Sequence, residues 1–156
     1  IRPDKDQPEL WIDFMIAMAQ FELDLYRIFD QEGNEEDGYA EESIRDENLK
    51  LQLCLSVHHY PFMVSKYYQE ISLGNTPEIT PQEDTYVAFV RLNYQVFVHL
   101  LEEKQYQLLE FIAKEESVAV GLQKFTKHYN LDSKRVKVKW NEWKLDWIKK
   151  GFFRVI

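Results

Sequence analysis

Cysteine, glycine and proline are scarce in this chain, and long apolar runs are missing. The single cysteine, Cys54, excludes an internal disulfide and is compatible with a reducing compartment. Five glycines and five prolines among 156 residues disfavour a sandwich or barrel with many tight turns. No run of 18 apolar residues is present, so the sequence predicts no transmembrane helix. We expect a cytoplasmic protein, or the soluble domain of a membrane-anchored one.

The chain does contain enough apolar material for one folded domain. Hydrophobic residues make up 45% of the sequence and aromatic residues 15%, which is too much for a disordered chain. A length of 156 residues suits a single core. We therefore expect residues 1–156 to form one helical domain, either a whole protein or a piece of a longer chain.

The charges are unevenly distributed along the chain. Residues 1–50 hold 15 acidic and 5 basic residues, whereas residues 123–156 hold 10 basic and 3 acidic ones. This polarity allows the two ends of the chain to pair with each other, or the basic end to meet an anionic partner. Pairing within the chain, or simple solvation, is the favoured interpretation.

The strongest local signal is a predicted helix start at Thr80. The threonine offers an N-cap hydroxyl, and a proline and a glutamate follow at the first and third helical positions, as in a capping box. The residues from Val87 to Leu101 are apolar almost without interruption. We therefore predict a long buried helix over about 81–114, at the centre of an elongated all-α, up-and-down bundle of four to five helices. A strand within this segment is the alternative, because its valines favour one.

The remaining helices are predicted from apolar residues at three- and four-residue spacing. They are expected at about 8–30, 41–73, 117–130 and 132–150, and Pro61 is expected to kink the second of these. Asp24 is predicted to lie on the solvent side of the first helix. The predicted buried face of that helix consists of Trp11, Phe14, Met15, Met18, Phe21, Leu25, Ile28 and Phe29.

A few polar residues within apolar segments are candidate ligand-binding residues. Arg91, Gln95 and His99 recur every four residues, with Glu102 three positions further on, so on a helix they would form one stripe. Such a stripe could bind an anion or a small ligand if it is buried, and the alternative is a solvent-facing strip. His58 lies on an apolar face and could ligate a metal or haem, although a hydrogen-bonded core histidine is favoured.

No catalytic or metal-binding motif accompanies these residues. The sequence lacks a Gly-rich phosphate loop, a nucleophile elbow, an HExxH motif, paired zinc-binding cysteines and the di-iron pattern of helical bundles. We therefore predict no catalytic residue, no metal site and no cofactor. The sequence favours a protein that is not an enzyme.

The C-terminal segment combines lysines with aromatic residues. Trp140, Trp143 and Trp147 lie on one helical stripe, and Phe152 and Phe153 follow the helix. Aromatic residues are enriched in interface cores, so these five residues are predicted to form a partner surface. The favoured alternative is that the tryptophans belong to the core and the lysines to the solvent side of the last helix.

The leading functional hypothesis is a non-enzymatic interaction or regulatory domain, acting as an adaptor, sensor or scaffold module. Its expected partner is another protein or a second copy of the chain. The first alternative is a bundle that binds a small molecule or metal, enzymes included, using His58, His99 and the acids of the first helix. The second is binding of nucleic acid or an anionic membrane through the basic, tryptophan-rich C-terminal helix.

Overall fold

The fold is a mixture of helices and sheets, so the prediction of an all-α bundle is wrong. The computed structural model describes residues 9–33, 35 and 38–155. Those residues form five α-helices and five β-strands, with a 3₁₀ turn at Asp46–Asn48. In chain order the elements are α1 (Leu10–Asp30), β1 (Leu49–Leu51), β2 (Leu55–Tyr60), α2 (Val64–Ser72), β3 (Thr85–Leu92), β4 (Gln95–Leu101), α3 (Glu103–Glu115), α4 (Val118–His128), α5 (Ser133–Lys149) and β5 (Phe153–Val155).

A three-stranded antiparallel sheet with strand order β2-β3-β4 separates two groups of helices. Val87 and Phe89 of β3 pack with residues of α1 and α2 on one face of the sheet. Ala88 and Val90 point the other way and pack with residues of α3, α4 and α5. The domain therefore has three layers, and its central strand is buried on both faces.

The long central helix predicted over 81–114 does not form. Most of that segment forms β3 and β4, and a helix begins only at Glu103. The cause is the double burial of β3, because a strand covered on both faces carries consecutive apolar residues, as a buried helix does. The helix start predicted at Thr80 is also wrong. The chain there is irregular, and the backbone N–H of Glu83 donates to the carbonyl of Pro61.

A two-residue turn joins β3 to β4. Asn93 and Tyr94 have φ values of 47° and 64°, and a type I′ hairpin turn requires positive φ at both central residues. The turn fixes the register in which Leu92 pairs with Gln95. Asparagine tolerates the left-handed region well, so Asn93 is the sequence signal for a hairpin within the apolar segment.

The second predicted helix is wrong over most of its length. Residues 49–51 and 55–60 form β1 and β2, and Pro61 follows the end of a strand instead of kinking a helix. Only Val64–Ser72 are helical. The predicted stop near Gly74 is confirmed, since this glycine has a φ of 82° just beyond α2.

Three predicted helices are confirmed to within about two residues at each described end. They correspond to α1, α4 and α5, although Pro8, the predicted start of the first, lies outside the described residues. The Ser117 hydroxyl accepts a hydrogen bond from Val120 N–H at 3.4 Å and caps α4. Gly151, with a φ of 68°, ends α5. Among the described residues, none of the helices is both long and apolar enough to cross a bilayer.

The acidic and basic ends of the chain pair with each other. Lys144 Nζ lies 2.7 Å from Asp46 Oδ1 and donates to the Ile44 carbonyl at 2.6 Å. Lys149 Nζ lies 3.5 Å from Glu42 Oε1. The predicted pairing within the chain is therefore confirmed for part of the basic segment.

The C-terminal strand closes the fold against the N-terminal half. β5 pairs antiparallel with β1, with Phe153 opposite Leu51. Next to this pair, Gln52 Nε2 donates to the Gly151 carbonyl at 2.5 Å. Phe152 and Phe153, which the sequence predicts on a partner surface, are thus core residues.

Candidate functional site

The first helix, α1, is apolar on its outer face as well as on its inner face. The inner face packs on the sheet through buried residues that include Phe14, Phe21 and Ile28. One strip of the exposed surface of α1, which we call the outer stripe, consists of Trp11, Met15, Ala19, Glu22, Tyr26 and Phe29. The exposed Ile16 and Leu23 lie beside this strip on the same helix. The exposed fractions are 55% for Trp11, 52% for Met15, 68% for Tyr26 and 59% for Phe29. None of the described elements covers these side chains.

The predicted inner and outer faces of α1 are partly wrong. Trp11, Met15 and Phe29 were expected inside and are exposed, whereas Asp24 was expected outside and is only 4% exposed. Apolar spacing alone cannot assign the buried face when both faces of a helix are apolar. The outer stripe is therefore the candidate site that the sequence pattern concealed.

An apolar cleft adjoins the outer stripe and has a volume of about 370 Å³. Its lining contains no charged side chain among the described residues. Among the described lining residues, the hydroxyls of two tyrosines are the only polar side-chain atoms. The lining residues are Leu25, Tyr26 and Phe29 of α1, Tyr68 of α2, and Val96 and Val98 of β4.

A second, more polar groove of about 720 Å³ runs between α2 and β4. Lys66, Glu70, His99 and Lys150 are among its lining residues. Burial lowers the pKa of His99 below the ordinary value, the nearby Lys150 lowers it further, and Asp146 opposes both. His99 therefore favours the neutral form in the folded chain.

A buried hydrogen-bond network lies beneath α1 and is centred on Asp24. The carboxylate accepts hydrogen bonds from Tyr60 Oη at 2.8 Å, Gln20 Nε2 at 2.8 Å and Arg27 Nη1 at 3.2 Å. His58 Nδ1 lies 3.3 Å from Asp24 Oδ2, the oxygen that also accepts from Tyr60. Burial lowers the pKa of His58, and this effect outweighs the opposing influence of Asp24.

The Asp24 network also contains a serine. Ser56 Oγ lies 2.8 Å from His58 Nε2, so serine, histidine and aspartate stand in the order used by serine hydrolases. Acyl transfer additionally needs a cleft for substrate and amide donors aimed at an oxyanion. Neither of the two clefts above is lined by Ser56 or His58. We interpret the network as the polar support that fixes α1 on the sheet.

Arg91 is part of a buried ion pair. Its Nε donates to Glu35 Oε1 at 2.6 Å, and its Nη1 donates to the carbonyls of Ile28 and Phe29 at 3.2 and 2.6 Å. Those carbonyls belong to the last turn of α1, where backbone acceptors lack partners within the helix. The guanidinium therefore supplies hydrogen-bond donors to the unpaired carbonyls at the end of α1. Each of its described contacts is made to another part of the fold.

The structure does not bring the predicted ligand residues together. Arg91 points into its ion pair, while Gln95 is exposed where β4 begins. His99 lies further along β4, and His58 belongs to the Asp24 network of β2. Their four-residue spacing would align them on a helix, but a hairpin separates Arg91 from the other two.

Four of the five aromatic residues predicted as a partner surface lie in the core. Trp140, Trp147, Phe152 and Phe153 are at most 1% exposed, and Trp143 is half-buried and stacks on Trp147 at 5.9 Å. The positions of these tryptophans therefore agree with the alternative interpretation, in which the tryptophans of α5 belong to the core. Trp11, Tyr26 and Phe29, which are exposed, lie instead on α1 at the other side of the sheet, and Tyr94 and Phe97 are exposed on the β3–β4 hairpin.

The described residues contain no group of three or more His, Cys, Asp and Glu side chains arranged to hold a metal ion. No model of a known protein family matches the chain, and a search of curated proteins returns no match. The outer stripe and the apolar cleft beside it are thus the features of the described molecule from which a function can be inferred.

Proposed function

We propose that this chain is a non-enzymatic interaction domain whose protein partner docks on the outer stripe of α1. The observation that carries the proposal is the exposure of Trp11, Met15, Tyr26 and Phe29 along a single helix face. Scattered apolar residues are common on protein surfaces, but a contiguous apolar patch marks an interaction site. Trp, Tyr, Phe and Met are also the residue types that are enriched at the centres of interfaces.

The charges around the patch support a basic partner surface. Residues 9–33 contain six acidic residues and one basic residue, Arg27, which is bound to Asp24. Complementary charge around an apolar centre accelerates association and selects the partner. The same acidic surroundings disfavour an anionic membrane, which attracts basic segments.

The alternatives inferred from the sequence receive less support. Stacking of nucleic-acid bases on Trp140 or Trp147 is blocked by the burial of both rings. A ligand held jointly by Arg91 and His99 is disfavoured, because Arg91 is engaged with Glu35. Our proposal includes a cytoplasmic location, with which the free, buried thiol of Cys54 is compatible.

Site-specific photo-crosslinking in the native cells tests the proposal. A benzophenone side chain at Tyr26 should yield an adduct with a defined protein, whereas one at the exposed Val138 of α5 should not. The captured protein, once purified, should bind the chain and bind the Met15→Glu variant at least tenfold more weakly. Equal adducts from both positions, or none from Tyr26, would exclude the outer stripe as the docking site.

A further inference from the structure

We propose that the occupant of the outer stripe is an amphipathic helix of the partner, which lies along α1 and presents a lysine or arginine to Glu22. This inference rests on the proposed function and specifies the chemistry of the partner. Three features of α1 lead to it. They are the spacing of the outer stripe from Met15 to Phe29, the charge of Glu22 midway between those two residues, and the cleft at one end.

Five of the six residues of the outer stripe have the spacing of a helix–helix seam, and Trp11 lies to one side of that seam. Met15, Ala19, Glu22, Tyr26 and Phe29 follow one another at intervals of four, three, four and three residues, all within the regular helix α1. This alternation is the a/d period of coiled coils, in which a second helix packs its side chains between those of the first. The seam is about 21 Å long at 1.5 Å per residue. An extended segment, with a side-chain period of two, does not match it.

The charge of Glu22 defines the partner more closely. Glu22 is exposed, lies at the middle of the seam, and forms no ion pair with any described residue. A second helix packed on the seam would remove its carboxylate from water, which is strongly unfavourable unless an opposite charge faces it. A lysine or arginine at the facing position supplies that charge. A single polar seam position of this kind also fixes the register of two packed helices.

The same residue disfavours a second copy as the occupant. When two identical helices pair about a two-fold axis, the residue at the middle of an antiparallel seam faces its own counterpart. In a pairing centred on the five seam residues Glu22 is that residue, since it lies seven positions from both Met15 and Phe29. Two carboxylates would then be enclosed against each other. A different chain with a basic residue avoids this repulsion.

The apolar cleft beside Tyr26 and Phe29 gives the partner helix an anchor. It lies between α1 and β4 and is lined by apolar side chains and two phenol rings. A large apolar side chain that projects from the partner helix beyond the seam fits this composition. Buried anchors of this type usually contribute most of the binding energy of an interface.

Two designed helical peptides test the inference with the purified full chain. Both carry the same apolar face; one places lysines opposite Glu22 and at its flanks, and the other places glutamates there. By fluorescence anisotropy, the lysine peptide should bind at least tenfold more tightly, and its affinity should fall with salt. The Glu22→Lys variant should reverse the preference. Phe29→Ala should weaken binding of the lysine peptide, whereas the Val138→Ala control on α5 should not.

Self-association provides a second readout that does not depend on the peptides. Sedimentation should show a monomeric parent chain, and the Glu22→Leu variant should form dimers because its seam has lost the charge. Circular dichroism and thermal unfolding confirm that each variant is folded.

Equal affinity for the two peptides, or a preference that Glu22→Lys does not reverse, overturns the inference. A parent chain that already dimerises through Tyr26 and Phe29 overturns the choice of a different partner. If neither peptide binds while a benzophenone at Tyr26 still captures a partner, the helical occupant is wrong and the proposed function stands. If that crosslink also fails, both are wrong.

Discussion

At the scale of single residues, the least expected feature is the buried carboxylate of Asp24. Its position in the sequence, among apolar residues of an amphipathic helix, predicts a solvent-facing acid. The structure instead pairs it with Tyr60, which lies 36 residues further along the chain. A buried charge is tolerated when hydrogen bonds replace its hydration, and Asp24 has four such neighbours. No local pattern contains that long-range information.

We expect the free energy of unfolding to decrease as the pH falls below about 6.5, the ordinary pKa of histidine. Burial lowers the pKa of His58 in the folded chain, Arg27 acts in the same direction, and Asp24 opposes them. The unfolded chain therefore takes up the proton first. The stability that neutral His58 contributes is fully present above the pKa of this histidine in the unfolded chain. It is lost as the pH falls through the lower pKa of His58 in the folded chain.

Urea unfolding at about pH 7.5 and about pH 5 measures this dependence. The His58→Gln substitution should bring the unfolding free energies at the two pH values closer together. Adding His99→Gln should reduce the difference further, because burial lowers the pKa of His99 as well. A parent chain that becomes more stable on acidification would contradict the assignment.

Arg91 allows a second prediction at the residue scale. Replacing it by methionine leaves the Glu35 carboxylate buried without its partner and removes two donors from the end of α1. We expect a loss of about 3–5 kcal/mol of unfolding free energy. Adding Glu35→Leu should restore part of it, which chemical denaturation can measure. Arg135→Met, on the exposed side of α5, is the matched control, and an equal effect there would refute the buried pair.

At the scale of elements, the sequence is informative wherever one face of an element meets solvent. For α4 and α5, polar residues mark the outer side, and caps at Ser117 and Gly151 mark the ends, so both helices are predicted correctly. For β3 the same reasoning fails, because both faces are covered and no alternation remains. The outer stripe of α1 escapes prediction for a related reason, since an exposed apolar face looks like a buried one.

The hairpin between β3 and β4 offers a stabilising substitution. Tyr94 has a φ of 64°, which costs a non-glycine residue free energy, and its side chain is 67% exposed. Tyr94→Gly creates the Asn-Gly pair that type I′ turns prefer. We expect the unfolding free energy to rise by about 1 kcal/mol, measured by thermal unfolding. Tyr26→Gly, within α1, should destabilise instead, because glycine is unfavourable inside a helix.

For β5 we expect substitutions to weaken folding, whereas the sequence predicts an effect on partner binding. The sequence predicts Phe152 and Phe153 on a partner surface, and on that prediction their removal would weaken binding more than folding. Phe153 is instead fully buried, and its strand pairs with β1. Phe153→Ala should lower the unfolding free energy by about 3–5 kcal/mol. Urea denaturation checks this, and a loss below about 1 kcal/mol would place the ring outside the core.

At the scale of the whole molecule, β3 belongs to both cores at once. Its side chains alternate between the cluster with α1 and α2 and the cluster with α3, α4 and α5. Hydrogen exchange should therefore find the β3 amides among the slowest, opening only with global unfolding. Amides of α2, which has a single buried residue, should exchange faster. Equal protection of the two elements would contradict this, and faster exchange of β3 would show that the layers separate.

The pairing of β1 with β5 has a consequence for biosynthesis. The two strands are separated by about 100 residues, and β1 leaves the ribosome long before the segment that covers it. Until then Ala40 and Leu49, both buried in the finished domain, have no cover from the carboxyl-terminal strand. The domain thus remains incomplete until β5 has been translated, and nascent chains halted before Phe153 should be substrates for chaperones and proteases.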